Sequence, residues 1–351
     1  MPHLYVNGRF LTRKMTGVER FAYNTCKAMA AMGQVFTIVC PQTPIDNSYD
    51  VGDLHMVHYG HGNSHFWEQC VLPFYLRGKK DSVLCSFTGL GSILVRQKVM
   101  TIHDLSFLEN PRWFSKPYYW WYKLTTPLAA RTSRRIITVS EFSKSESRRF
   151  YPFVPSENIH VAYPAADTQQ FTTLPNLPPP TERFALAVSS LDPRKNFSRL
   201  VEAFQGISDC KLYIAGNANR VFGGKEGTVA DDNVKWLGRV SDDELLRLYN
   251  QAECFIFPSI YEGFGIPPVE AMACGCPVIA SDIPVIREVC GDTALYFTPT
   301  DPKNIHDTIC HYLEHSETLK PQLREKGFAR CQRYSWEKTA EAVMEAVGNV
   351  K

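Results

Sequence analysis

The stretch from Pro258 to Asp282, PSIYEGFGIPPVEAMACGCPVIASD, constrains the fold of this chain more than any other. Ahead of it, Glu253-Cys-Phe-Ile-Phe257 is a short apolar run suited to a buried strand, which Pro258-Ser259 ends. Gly263 and Gly265 make a loop in which the backbone can approach a ligand closely. Pro267 and Pro268 suit the first turn of a helix, where an N–H is not needed. Ala271, Met272 and Ala273 extend that helix, Gly275 is placed to stop it, and Pro277-Val-Ile-Ala280 is the next strand. Strand, glycine loop, helix N-terminus and strand form an anion-binding arrangement of an α/β sheet. Two carboxylates frame it, Glu262 in the loop and Glu270 in what the pattern makes the first turn of the helix. A carboxylate accepts paired hydrogen bonds, so it suits the vicinal hydroxyls of a ribose or a sugar. The plainer alternative is an ordinary βαβ turn with a glutamate placed for the helix dipole.

EGFGIPPVEAMACGCPVIAS resembles the signature of the retaining glycosyltransferases of family 4, the glycogen-synthase-like group with the GT-B fold. The resemblance covers nearly the whole chain and is strongest over residues 97–145 and 184–300. It implies an α/β protein of two Rossmann-like domains facing a cleft, the first holding most of the acceptor site and the second the nucleotide-sugar donor. The expected divisions are an N-terminal domain at 1–171, a linker at 172–183, a C-terminal domain at 184–333, and a last helix at 334–351 that crosses back to the first domain. The linker is read from its polar, proline-rich composition, TTLPNLPPPTER.

Size and composition agree with two domains. A chain of 351 residues is long for one, and 44% hydrophobic content is ample for two cores. A net charge of +2 gives no argument for nucleic acid as a partner. Eleven scattered cysteines favour a reducing compartment, and Cys274-Gly-Cys276 is not a zinc spacing. The N-terminal MPHLYVNGRFLTRK lacks the apolar core of a signal peptide, and no apolar run approaches the length of about 18 residues that suggests a membrane span. The expectation is a cytoplasmic protein, working at the inner face of the plasma membrane if its acceptor is lipid-linked.

In the first half, Leu4-Tyr-Val6 is a weak strand, and Thr16-Gly17 opens a helix where a phosphate could bind, with Arg20 the nearby cation. Glycine at such a point is weak evidence alone; the resemblance strengthens it, because a glycine loop here lines the cleft. His55, His58, His61 and His65 are spaced like a metal cluster, but His55–Tyr59 reads as a strand and Gly60 and Gly62 break any helix. Histidines at a strand end facing the cleft are the better reading. His65-Phe-Trp-Glu-Gln69 followed by Leu72-Pro73 resembles a segment common in mannosyltransferase-like members of the family. Val99–Asp104 is a strand ending in His103, at the carboxyl end where ligands of open α/β sheets lie. The family carries a histidine here that contacts the donor sugar; a structural histidine bonded to its own loop is the alternative.

Residues 112–149 hold nine Lys/Arg against two acids, and Tyr118-Tyr-Trp-Trp-Tyr122 lies within them. Basic and interfacial aromatic residues suit an anionic membrane surface. A solvated helix whose aromatics pack on the core explains the pattern equally well, and the two readings stay open.

In the second half, Phe184–Ser190 opens a new sheet, and Leu191-Asp-Pro-Arg-Lys-Asn196 leads into a helix with Phe197, Leu200, Val201 and Phe204 on one face. Arg194 and Lys195 at that helix N-terminus make a diphosphate site. Many relatives have Gly-Arg where this chain has Ser189-Ser190, so Arg194 would stand in for the missing arginine. Arg239, after the Gly238 turn, would lie near the nucleotide base.

The resemblance thus implies a metal-independent hexosyltransferase that retains the anomeric configuration by front-face attack, the leaving phosphate taking the acceptor's proton. No Asp-x-Asp occurs, so no metal is expected, and no cofactor beyond the nucleotide-sugar co-substrate. The catalytic set is His103, Glu262, Arg194 and Lys195. The donor set is Gly17, Arg194, Lys195, Arg239, Gly263, Phe264, Gly265, Ile266 and Glu270. Mannose from GDP-mannose is the first choice of donor, with UDP-glucose or dTDP-rhamnose as alternatives. The implied acceptor is a lipid-linked saccharide of surface-polysaccharide or lipopolysaccharide O-antigen synthesis. The rivals are a nucleotide-sugar epimerase or glycan phosphorylase of the same fold, and a non-catalytic nucleotide-sugar-binding protein.

Overall fold

The computed structural model describes residues 2–62, 64–79, 81–188, 192–216, 233–348 and 350. Ser189, Ser190 and Leu191, where the relatives' Gly-Arg would fall, lie outside the described residues.

The chain separates into two compact units, one of residues 1–164 and 335–351, the other of residues 165–334. The first is built on seven parallel strands, β1 (His3–Asn7), β2 (Phe36–Cys40), β3 (Met56–His58), β4 (Ser82–Ser86), β5 (Lys98–Ile102), β6 (Arg135–Thr138) and β7 (Ile159–Val161), in the order β3-β2-β1-β4-β5-β6-β7. The second has six, β8 (Phe184–Val188), β9 (Lys211–Ala215), β10 (Val234–Gly238), β11 (Cys254–Phe257), β12 (Val278–Ser281) and β13 (Ala294–Phe297), in the order β10-β9-β8-β11-β12-β13. Central strands such as Phe36–Cys40 and Cys254–Phe257 are buried at every residue. A parallel sheet covered on both faces needs such unbroken apolar runs, so these strands do not alternate. Register follows the same logic: Val6 pairs with Ile38 on one side and Cys85 on the other, all buried.

The units divide at Pro164, earlier than the expected boundary at residue 171. The cause is packing. Phe171 is buried with its ring edge-on to Tyr249 at 5.9 Å, and the Asn250 side chain accepts from the Leu174 amide and donates to the Thr172 carbonyl. The expected linker is therefore held against the second unit over its first residues. At Ser335 the chain rejoins the first unit. Its last helix, Trp336–Gly348, packs on the helix Gly17–Ala31, with Trp336 edge-on to Phe21 at 6.2 Å and the Thr339 hydroxyl donating to the Tyr163 carbonyl.

Candidate active site

The glycine loop after β11 is built as the prolines and glycines dictate. Gly265 has φ +100°, and a Cβ there would lie 2.9 Å from Ile286 Cδ1, so the position admits glycine alone without strain. It caps the helix Ile266–Ala273, whose second and third residues are Pro267 and Pro268. Of the four N–H groups a helix leaves unpaired at its start, the prolines remove two. Gly265 and Ile266 are left as the donors for an anion. Because the helix starts at Ile266, Glu270 falls in its second turn, not its first. Glu270 is therefore buried, and Tyr249, itself fully buried, donates its hydroxyl to Glu270 Oε2 at 3.2 Å. The carboxylate thus has a holder that composition and spacing did not indicate.

Opposite this loop stands the segment after β8. Pro193–Lys195 is a single 3-10 turn, Asn196 takes the left-handed conformation at φ +60°, and the helix Phe197–Ala203 follows. The two cations thus sit in a turn of their own ahead of the helix, rather than on its first turn. The turn is tied down firmly. Asp192 accepts from the Arg194 amide at 3.0 Å and lies 3.5 Å from its guanidinium. The Ile260 amide donates to the Arg194 carbonyl at 2.8 Å, and the Asn196 side chain donates to the carbonyls of Pro258 and Pro299.

This bracing brings Lys195 and Glu262 together. Lys195 Nζ lies 2.5 Å from Glu262 Oε1, with side chains 12% and 9% exposed. Two opposite charges nearly out of water are worth keeping only where the geometry is good. Nearby, the Ser259 hydroxyl is buried and makes no hydrogen bond. The Phe264 ring is buried edge-on to Tyr334 at 5.3 Å, so it is a packing residue. Gly263 is buried in the same loop, whereas Arg239 is exposed just past β10.

The remaining expected site residues belong to the first unit. His103 follows β5 and is partly buried. Its Nε2 lies 2.7 Å from the Phe87 carbonyl oxygen, which can only accept, so Nε2 carries the proton and Nδ1 is left as acceptor. Loss of water pushes its pKa below the usual histidine value, against the opposing pull of the Phe87 carbonyl, Asp104 and Glu19. The imidazole is accordingly neutral at pH 7. Gly17 begins its helix in the open, and a Cβ there would meet nothing within 4 Å. Among the described residues no neighbour demands glycine at that point.

Among the described residues no group of His, Cys, Asp and Glu could hold a metal ion. Of the four spaced histidines, His58 bonds the Pro41 carbonyl and His65 joins a polar cluster. There Glu68 accepts from Asn7 at 2.6 Å and lies 3.6 Å from Arg9 Nε and 3.5 Å from His65 Nδ1. Burial works against its charge, yet Arg9, His65 and Asn7 outweigh that and hold its pKa below the usual carboxylate value. Glu68 lies in the π-helical turn Trp67–Val71, a backbone irregularity that pattern reading cannot see. A cavity of about 1000 Å³ in the first unit, lined by Pro2, Phe74, Ser82, Leu94 and Arg96 among others, holds none of the expected site residues. It lies at the amino ends of β1 and β4, the side of an open α/β sheet away from its ligands.

Two Rossmann-like parallel domains, the second bringing Lys195 of the turn after β8 onto Glu262 of its glycine loop, have the fold of the GT-B glycosyltransferases. Residues 15–170 match the model of Glycosyltransferase Family 4, and residues 169–330 that of Glycosyl transferases group 1. The two matches together run from residue 15 to residue 330, so the chain carries glycosyltransferase domains of both models. It is 28% identical to O-antigen chain mannosyltransferase B of Escherichia coli, over 69% of this chain and 68% of that one. It is 33% identical to O-antigen chain mannosyltransferase RfbU of Salmonella typhimurium, over 62% of this chain and 61% of that one, so the match spans less than two thirds of that relative. The structure of HepE from Anabaena in complex with UDP superimposes with a TM-score of 0.76 at 17% identity, over 99% of this chain and all of that one.

Proposed function

We propose that this protein transfers mannose from GDP-mannose, with retention of anomeric configuration, to a lipid-linked saccharide during surface-polysaccharide synthesis. The observation that carries the reading is Lys195, in the turn after β8, buried against Glu262 of the loop whose Gly265 and Ile266 amides are left without helix partners. Such a lysine has its counter-charge within the protein and a stronger one, a diphosphate, available from a ligand. In the proposed site Lys195 and Arg194 meet the diphosphate, and the two amides add the dipole of the helix. Glu270 takes the ribose hydroxyls, Arg239 stands by the base, and Glu262 positions the sugar, all within the second unit. As the glycosidic bond to phosphate breaks, negative charge grows on the leaving diphosphate, and preorganised cations lower that barrier without a proton transfer to them. The acceptor hydroxyl attacks from the same face and gives its proton to the leaving phosphate. Mannose is favoured by the two mannosyltransferase relatives.

The test is thermal stabilisation of the protein by GDP-mannose, UDP-glucose and dTDP-rhamnose, since a ligand held by the folded state alone raises its stability by mass action. GDP-mannose should stabilise most, and turnover should persist in excess EDTA. Preference for another donor overturns the mannose assignment. Conversion of a donor without acceptor turns the enzyme into an epimerase, and activity that chelation abolishes and Mg²⁺ restores overturns the metal-free chemistry.

A further inference from the structure

The helix Lys116–Thr132 carries no acidic residue along its whole length. On its inner side Thr126, Ala129 and Ala130 are buried, and Tyr119 and Tyr122 pack on the core around Met100, Ile102 and Phe107. At about 100° per residue, positions 120, 124 and 128 fall on the opposite side. They are Trp120, Leu124 and Leu128, at 54%, 61% and 49% exposure, with Trp121 beside them at 40%. The aromatic cluster is thereby split: its tyrosines at 119 and 122 belong to the core, and its tryptophans do not. A helix that already buries one face and turns four large apolar side chains outward is presenting a second contact surface.

Charge says what the surface meets. Lys123 lies over the Trp120 ring at 5.0 Å, Arg131 lies over the half-exposed Phe153 ring at 4.5 Å, and Lys116 opens the same side. Glu109 and Glu146, on the helices before and after it in the chain, are both engaged by Arg149, and Glu68 by Arg9. Lysine is depleted at the centre of protein–protein contacts. Tryptophan and leucine flanked by lysine and arginine, without acids, are the composition of a helix lying in a lipid interface. Among the described residues no helix is long and apolar enough to cross a membrane.

We infer that this face docks the protein on an anionic bilayer, with Trp120, Trp121, Leu124 and Leu128 entering the headgroup boundary and Lys116, Lys123 and Arg131 meeting lipid phosphates. The inference uses no residue of the proposed active site. It gives a transferase with a lipid-linked acceptor a way to hold its place beside that acceptor.

The test is sedimentation of the full chain with vesicles of phosphatidylcholine alone and of phosphatidylcholine mixed with phosphatidylglycerol, followed also by tryptophan emission. Binding is expected on the mixed vesicles only, with a blue shift. It should fall about tenfold or more at about 1 M salt, where the Debye length is about 3 Å. Leu124→Ser with Leu128→Ser should lower partitioning about tenfold or more, since two exposed leucines lose their transfer energy. The melting temperature of that variant should not change, because neither side chain is buried. Folded wild-type protein that ignores the mixed vesicles overturns the inference, as does binding indifferent to the double substitution. A concentration-dependent dimer that the double substitution dissolves would assign the face to a second copy instead. Nucleotide binding measured on the same samples keeps the two readings apart: retained donor binding without vesicle binding rejects the membrane face alone.

Discussion

Tyr249 donates its hydroxyl to Glu270 at 3.2 Å, and the phenol is sealed between the rings of Phe171 and Phe255. Burial and the adjacent carboxylate push the Tyr249 pKa well up, so it stays a donor at any working pH. A carboxylate held this way has its orientation set before any ligand arrives.

The first prediction concerns that pair. A hydrogen bond to a charged group is worth about 1.5–3 kcal/mol. Glu270→Ala should weaken binding of the bare nucleoside diphosphate by about tenfold or more. Tyr249→Phe should weaken it less, through loss of orientation alone. Titration calorimetry with the ribo- and the 2′,3′-dideoxynucleotide checks the assignment, because neither substitution should matter once the ribose hydroxyls are gone. Equal losses for both nucleotides would remove Glu270 from the ribose.

The second concerns Lys195 and Glu262, which are almost fully buried as a pair. Removing one partner of such a pair leaves an uncompensated charge, at a cost of about 3–5 kcal/mol when burial is complete. Residual exposure places Lys195→Ala and Glu262→Ala toward the low end. Urea unfolding should show each single variant less stable than the double variant, while all three lose transfer activity. Additive losses in the double variant would mean that the two side chains act independently.

Much of this site was legible in the sequence, and the reasons are local. The loop of Gly265, Pro267 and Pro268 follows from the backbone demands of those residues, and the strands follow from runs such as Cys254–Phe257. What escaped depends on partners distant in the chain. Asn196 clamps carbonyls 62 and 103 residues away, Tyr249 lies 21 residues before the carboxylate it holds, and Phe171 draws the expected linker onto the second unit. No periodicity reports such bonds. The outward turn of Trp120 could not be read either, because a helix with apolar residues on two sides has the same composition whichever side meets the core.

The last prediction concerns Lys98, a lysine buried at the start of β5 with no exposure at all. Its ammonium bonds the Val95 carbonyl at 3.2 Å and the Thr132 hydroxyl at 2.6 Å. Loss of water pulls its pKa down to about 7, against the weaker opposing pull of Glu68. In the unfolded chain the same group titrates near 10.4. Between these values the unfolded state binds more protons than the folded one, so stability rises with pH across that window. Below pH 7 both states are protonated and the full cost of burying the charge is present. From pH 7 to about 8.5 the contribution of Lys98 alone should gain about 1–2 kcal/mol. From about pH 8 upward the buried thiols, such as Cys40 and Cys276 with pKa values raised to about 12, oppose this gain, because they ionise first in the unfolded chain. Lys98→Met removes the titrating group and keeps the apolar stem. It should raise stability at pH 7 by more than at pH 8.5, both read against wild type from urea unfolding at fixed ionic strength. Thr132 retains a partner in the Leu128 carbonyl, so the substitution strands little. A pH slope over this interval that Lys98→Met leaves unchanged would show that Lys98 does not titrate there.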